Sequence, residues 1–228
     1  MGEFRHEIKY FCSERELRLI ESRIKAICQL DSHVDNTGQY TISSVYFDDY
    51  MDSYYYENEN GTDPREKFRI RIYNRNMKRI MLECKQKCKG MTRKESCDLT
   101  EMEYQKVMSG ECDWQGFASQ TLLTRFLTLM KTKNLSPKVI VEYERTPYVY
   151  ALGNVRLTFD RNIASSTDFA NFGSEGMISR PIMPVNKHIF EVKYDEFLPD
   201  YLYNILQVQG LQRTNFSKYY LCRKYSIG

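Results

Sequence analysis

Stretches that alternate between apolar and polar side chains recur along the chain, the period-two signature of a strand whose two faces differ chemically. In Lys67-Phe68-Arg69-Ile70-Arg71-Ile72-Tyr73 the odd positions are basic or polar and the even ones apolar. Asn74-Arg75-Asn76 then reads as a turn and Lys78 to Lys87 as the returning strand of a hairpin, with Met81, Glu83, Lys85 and Lys87 on one face. The same pattern predicts strands over Phe4 to Phe11 (Arg5, Glu7 and Lys9 together), Thr41 to Phe47, Val139 to Arg145, Val155 to Asp160 (Arg156, Thr158 and Asp160 together) and Ile189 to Tyr194 (Glu191 and Lys193 together). Helical signals lie between them. Ser13-x-x-Glu16 and Thr100-x-x-Glu103 are capping boxes, and the first opens a stripe of Leu17, Ile20, Ile24 and Ile27. Phe117 to Met130 and Pro199 to Leu206 are predicted as further helices. Many short-turned strands and few amphipathic helices predict an antiparallel, β-rich α+β fold with helices packed on one side.

Composition narrows the class. The chain has 228 residues, 42% of them apolar and 14% aromatic, too rich in core-forming side chains for a disordered segment. One domain over residues 1–228 is expected, with no linker, repeat or low-complexity tract. No run approaches the length of a membrane helix and the N-terminus lacks a secretory core, so a cytoplasmic protein is expected. Seven Cys at irregular spacing, with His6, His33 and His188 far from them, fit reduced thiols and structural histidines and exclude the usual zinc patterns. No Walker loop, dinucleotide-binding glycine motif or nucleophile elbow is present.

Charge changes the picture more. The net charge is only +3, yet residues 65–94 carry twelve basic and two acidic side chains, and residues 44–63 carry six acids and no base. Across the predicted strands, the polar faces collect far more Arg and Lys than Glu and Asp. Such crowding of like charge is costly unless an anion sits within it. If the strands close into a barrel, these cations share one lumen whose low-dielectric walls strengthen their pull on a run of phosphates. The few carboxylates there would suit a divalent metal that bridges carboxylate and phosphate oxygens. Nucleic-acid binding through residues 65–94 is the rival reading, and it is disfavoured because the bases alternate along strands and do not interleave with stacking aromatics.

In order along the chain, Phe4-Arg5-His6-Glu7-Ile8-Lys9-Tyr10, Ser44-Val45-Tyr46-Phe47-Asp48, Phe68-Arg69-Ile70-Arg71, Leu82-Glu83-Cys84-Lys85, Val141-Glu142-Tyr143-Glu144-Arg145, Val155-Arg156-Leu157, Phe190-Glu191-Val192-Lys193 and Phe216-Ser217-Lys218-Tyr219 resemble the catalytic domain of the vacuolar transporter chaperone (VTC) complex and its bacterial relatives, within the triphosphate tunnel metalloenzymes. The resemblance implies an eight-stranded antiparallel β-barrel, the triphosphate tunnel, with flanking helices. It also implies an ATP-dependent polyphosphate polymerase that uses Mn2+ or Mg2+. Carried over by motif, Lys9, Arg69, Arg71, Lys85, Arg145 and Arg156 would be catalytic cations. Lys87, Lys94, Tyr143, Lys193, Ser217 and Lys218 would bind substrate, and Glu191 would hold the metal. ATP and inorganic polyphosphate are the implied ligands, with room for a membrane-protein partner and no nucleic acid. A non-catalytic polyphosphate- or nucleotide-binding module and a metal-dependent triphosphatase are the alternatives. The family's first-strand motif, E-x-E-x-K in hydrolytic members, has Arg5 at its first position here, which fits the polymerase branch better. Asn215 stands where the last motif often has a base, and Arg213 is the candidate replacement.

Overall fold

The computed structural model describes residues 3–112, 121–208 and 210–227. Along the chain run β1 (His6–Ser13), α1 (Glu14–Ile24), β2 (Gln29–Leu30), β3 (Tyr40–Asp48), α2 (Ser53–Glu59), β4 (Arg65–Tyr73), β5 (Asn76–Cys88), β6 (Met91–Leu99), α3 (Glu101–Met108) and α4 (Thr121–Lys133). They are followed by β7 (Ser136–Tyr150), β8 (Val155–Ser166), β9 (Arg180–Pro181), β10 (Lys187–Tyr194), α5 (Asp200–Leu206), β11 (Gln212–Arg213) and α6 (Lys218–Ile227). All strands join one antiparallel sheet in the order β11-β1-β10-β8-β7-β3-β4-β5-β6, with β2 on β7 and β9 on β8.

The expected eight-stranded closed barrel therefore needs correction: the sheet has eleven strands and its ladder does not run all the way round. Eight long strands carry it and β2, β9 and β11 are two-residue additions. The strongly twisted sheet curls until its edges meet at one point, where Arg5 and Thr92 exchange two backbone hydrogen bonds of 2.9 Å. Further along β1, β11 already occupies the outer edge opposite Tyr10 and Phe11, so a continuous β1–β6 ladder cannot form there.

The alternation read from sequence sets the faces. In β4, Phe68, Ile70 and Ile72 are fully buried on the outer, convex side. Helices cover that side: Leu123 and Phe126 of α4 join Phe47 and Phe68, while Leu17, Ile20 and Ile24 of α1 join Leu157, Phe159 and Phe190. Both capping boxes form, with the Glu16 and Glu103 carboxylates each accepting from the N-cap backbone at 2.6 Å. Helix α1 ends at Ile24, so Ile27, expected on its stripe, is exposed. The helix expected over Phe117 to Met130 runs Thr121–Lys133 in its described part, and 117–120 lie outside the described residues. The β4–β5 turn has positive φ at both Asn74 and Arg75, the two-residue geometry that matches strand twist, and Glu142 fixes Arg75 through contacts of 2.6 and 3.1 Å. Among the described residues no helix is long and apolar enough to cross a membrane. All seven thiols are free.

Candidate anion-binding cavity

The concave face of the sheet encloses a cavity of about 410 Å3 lined by fourteen Lys and Arg residues and by Glu3, Glu7 and Glu191. All thirteen site residues expected from sequence line it, from Lys9 on β1 to Lys218 at the start of α6. The backbone explains the convergence: Ser44 lies opposite Arg71, Lys9 opposite Glu191, Lys193 opposite Arg156, and Lys85 between Lys67 and Lys94. Period two then points these side chains inward together. None of the three histidines lines the cavity.

Carboxylates hold the cations in groups. Glu83, fully buried, accepts from Arg69 at 2.6 Å and Lys94 at 2.8 Å, with Arg71 at 3.6 Å. Arg69 also donates to the Tyr46 hydroxyl at 2.7 Å, and Arg71 to Ser44 at 3.1 Å. Asp160, also fully buried, takes a bidentate grip from Arg145 at 2.6 and 2.7 Å and pairs with Lys218 at 2.5 Å. Glu7 lies among Lys85 at 2.7 Å, Lys9 at 3.0 Å and Lys193 at 3.7 Å. Glu191 pairs with Lys193 at 2.9 Å and Arg145 at 3.5 Å. Arg156 pairs with Asp31, and its Nε is buried without a hydrogen-bond partner.

Titration follows from this packing. Burial alone would raise the carboxyl pKa values of Glu83, Asp160 and Glu191, yet the cations around them hold all three below the ordinary range. Burial together with Lys9 and Lys193 outweighs Glu7 and Glu191 and pulls Lys85 down to about 7. Burial would likewise raise Tyr143, but Arg145, Arg71 and Lys218 bring its phenol below the usual value. The Lys218 ammonium sits 4.6 Å from the centre of that ring.

Helix α6 delivers Ser217 and Lys218 to the cavity because Tyr219, fully buried, stacks on Tyr46 at 5.1 Å and donates its hydroxyl to Asp48. Asp48 in turn accepts the backbone N–H groups of Tyr54 and Tyr55 at 2.9 and 3.0 Å, so one carboxylate ties β3, α2 and α6 together.

Two expectations shift. Arg213 does not replace the missing base at Asn215: pairing of β11 with β1 leaves Arg213 exposed and off the cavity wall, whereas Asn215 itself lines it. Arg5 lines the cavity too, but it is held at the rim by Asp195 at 2.6 Å. Sequence reading set Lys67 on the inward face without a specific role and assigned none to Arg65, Arg93 or Tyr46, which also face the cavity. The signal for Lys67 was present, because it shares the inward alternation of Arg69 and Arg71. Among the described residues no three His, Cys, Asp or Glu side chains cluster to cage a metal. Glu191 and Glu7, which share Lys193, offer two carboxylates, the number by which Mg2+ commonly bridges protein to substrate phosphates.

A curled antiparallel sheet around a cationic cavity is an architecture of the tunnel type. The VTC domain matches residues 4–227, and the chain belongs to that family. Comparison with curated protein sequences finds no match. Among solved structures, the PH1819 protein of Pyrococcus horikoshii is similar in fold, with a TM-score of 0.51 at 13% identity over 96% of this chain and 99% of that one. A Bacillus halodurans protein provisionally assigned as an adenylate cyclase aligns with a TM-score of 0.49 at 16% identity, covering 85% of this chain and 82% of that one.

Proposed function

We propose that this protein is an ATP-dependent polyphosphate polymerase, moving the terminal phosphoryl group of ATP onto a polyphosphate chain held in the cavity. The observation that carries this reading is the convergence of Arg and Lys from seven long strands and α6 on one concave space, beyond the number its own carboxylates can neutralise. Phosphoryl transfer asks a protein for in-line positioning and charge neutralisation more than for covalent chemistry. Arg69, Arg71 and Arg145, locked against Glu83 and Asp160, form a rigid part suited to forked phosphate contacts. Lys9, Lys85, Lys193 and Lys218 supply point charges, and Tyr143 and Ser217 supply hydroxyl donors. The terminal phosphate of the acceptor is already ionised and needs no general base, in keeping with a wall that bears no histidine. Glu191, with Glu7 beside it, would hold Mn2+ or Mg2+, which when bound neutralises charge on the transferred phosphate's oxygens. On this reading the curled sheet works as a tunnel, the partners are ATP and inorganic polyphosphate without nucleic acid, and a membrane protein could receive the polymer from a cytoplasmic enzyme.

The test is purified protein with ATP and Mn2+. Polyphosphate should lengthen while ADP accumulates in step. Release of free phosphate without polymer points to a triphosphatase and overturns the proposal. Glu191→Gln should abolish polymerisation and keep polyphosphate binding, whereas a pure binding module would have no turnover to lose.

A further inference from the structure

The fourteen cavity cations divide by how they are neutralised. Eleven are ion-paired with a carboxylate, and among the described residues Arg65, Lys67 and Lys87 are not. Arg65 and Lys87 stand next to the β5–β6 turn, and Lys67 is one pair further along the same face. Arg65 lies directly opposite Lys87 across the β4–β5 ladder and Lys67 directly opposite Lys85, so two like-charge pairs stand one behind the other on the inward face. Directly opposed like charges destabilise a sheet. Glu7 relieves only Lys85. Glu66, between Arg65 and Lys67 in sequence, alternates to the other face and pairs with Arg125, while Asp63 spends its oxygens on the backbone N–H groups of Lys89 and Gly90 at 2.9 and 3.1 Å. The Lys67 ammonium has neutral contacts alone, the Ser217 hydroxyl at 3.3 Å and the Asn58 amide oxygen at 3.5 Å. Burial, then the charges of Lys85, Lys9, Arg65 and Arg69, holds it well below the ordinary lysine pKa, so the protein itself supplies too little negative charge there.

The ligand class follows from what else is there. The Tyr219 ring beside Lys67 is fully buried, stacks on Tyr46 and carries the Lys67 ammonium 5.3 Å from its centre, so it is not presented to a nucleobase. We propose that Arg65, Lys67 and Lys87 form a separate phosphate subsite for units of a polyphosphate chain that extend past the carboxylate-neutralised part of the cavity, giving a preference for long inorganic polyphosphate over tripolyphosphate. This rests on the polymerase reading for the identity of the chain. It goes beyond that reading in assigning Arg65 and Lys67 a role and in dividing the cavity into two parts.

Titration calorimetry of the full chain with tripolyphosphate and with long-chain polyphosphate, at several salt concentrations, tests it. For Arg65→Gln/Lys67→Gln the long-chain Kd should weaken by about tenfold or more. The slope of log Kd against log salt should fall by roughly 1.5, one counterion's worth per lost charge. The tripolyphosphate Kd should weaken at least about threefold less than the long-chain Kd, because Lys67 adjoins Ser217 and Lys85 whereas Arg65 lies one pair further along the ladder. Equal weakening for both ligands, or none, overturns the subsite. Should the double variant fail to fold, Lys87→Gln gives the same reading with a slope change of about 0.7–0.9. A wild-type protein that binds neither ligand overturns the polymerase reading as well; wild-type binding with equal losses overturns the subsite alone.

Discussion

Two kinds of carboxylate serve the cavity. Glu83 and Asp160 are fully buried behind its wall; Glu83 grips Arg69 and Arg71 with Lys94, and Asp160 grips Arg145 with Lys218. Glu7 and Glu191 belong to the wall itself and hold mainly lysines. A guanidinium is a rigid planar fork that stays charged, so an acid behind it fixes its direction. An ammonium on a flexible stem can leave its partner for a phosphate or shed its proton. The buried pair therefore acts as scaffold, and the wall pair as stand-ins for the anion to come.

The largest expected effect breaks or confirms this division. Glu83→Gln leaves Arg69, Arg71 and Lys94 around a neutral amide, and loss of one partner from a buried charge group costs about 3–5 kcal/mol. Chemical denaturation should register that loss, and saturating tripolyphosphate should return part of it by supplying the missing charge. Glu7→Gln should cost less, about 1–2 kcal/mol, because its lysines can turn toward the open cavity or deprotonate. It should also tighten phosphate binding, since the competing carboxylate is gone. Equal destabilisation by the two substitutions would erase the distinction.

Much of this was legible in sequence, and the exceptions have physical reasons. The alternation in Lys67 to Tyr73 located both core and cavity faces, because one side chain in two is apolar there. β6 escaped notice because Thr92, Lys94 and Ser96 alternate with Arg93, Glu95 and Cys97, leaving little apolar contrast between its faces. α6 escaped because its inward positions, Lys218, Tyr219 and Cys222, do not form an apolar stripe. Glu83 and Asp160 were read on the correct faces, but alternation cannot tell a wall carboxylate from one sealed beneath its cations. Arg213 was misplaced because only the pairing of β11 with Tyr10 and Phe11 shows that it turns outward. Incomplete closure of the sheet depends on that same edge pairing.

The smallest effect sharpens the contrast between the two carboxylate sets through pH. Lys85, crowded by burial and by Lys9 and Lys193, titrates at about 7, below the ordinary 10.5. Between those values the folded chain binds fewer protons than the unfolded one, so the Lys85 contribution to stability rises with pH across that window. Phosphate binding favours the charged ammonium and so runs the other way. Above pH 7.5, where a phosphate's own second ionisation at about 6 is complete, tripolyphosphate affinity should fall by about tenfold over two pH units, with proton uptake on binding. Calorimetry in buffers of different ionisation enthalpy measures both. Lys85→Arg, which stays protonated, should flatten the dependence. If it does not, the proton belongs elsewhere and Glu7 holds its lysines as firmly as Glu83 holds its arginines.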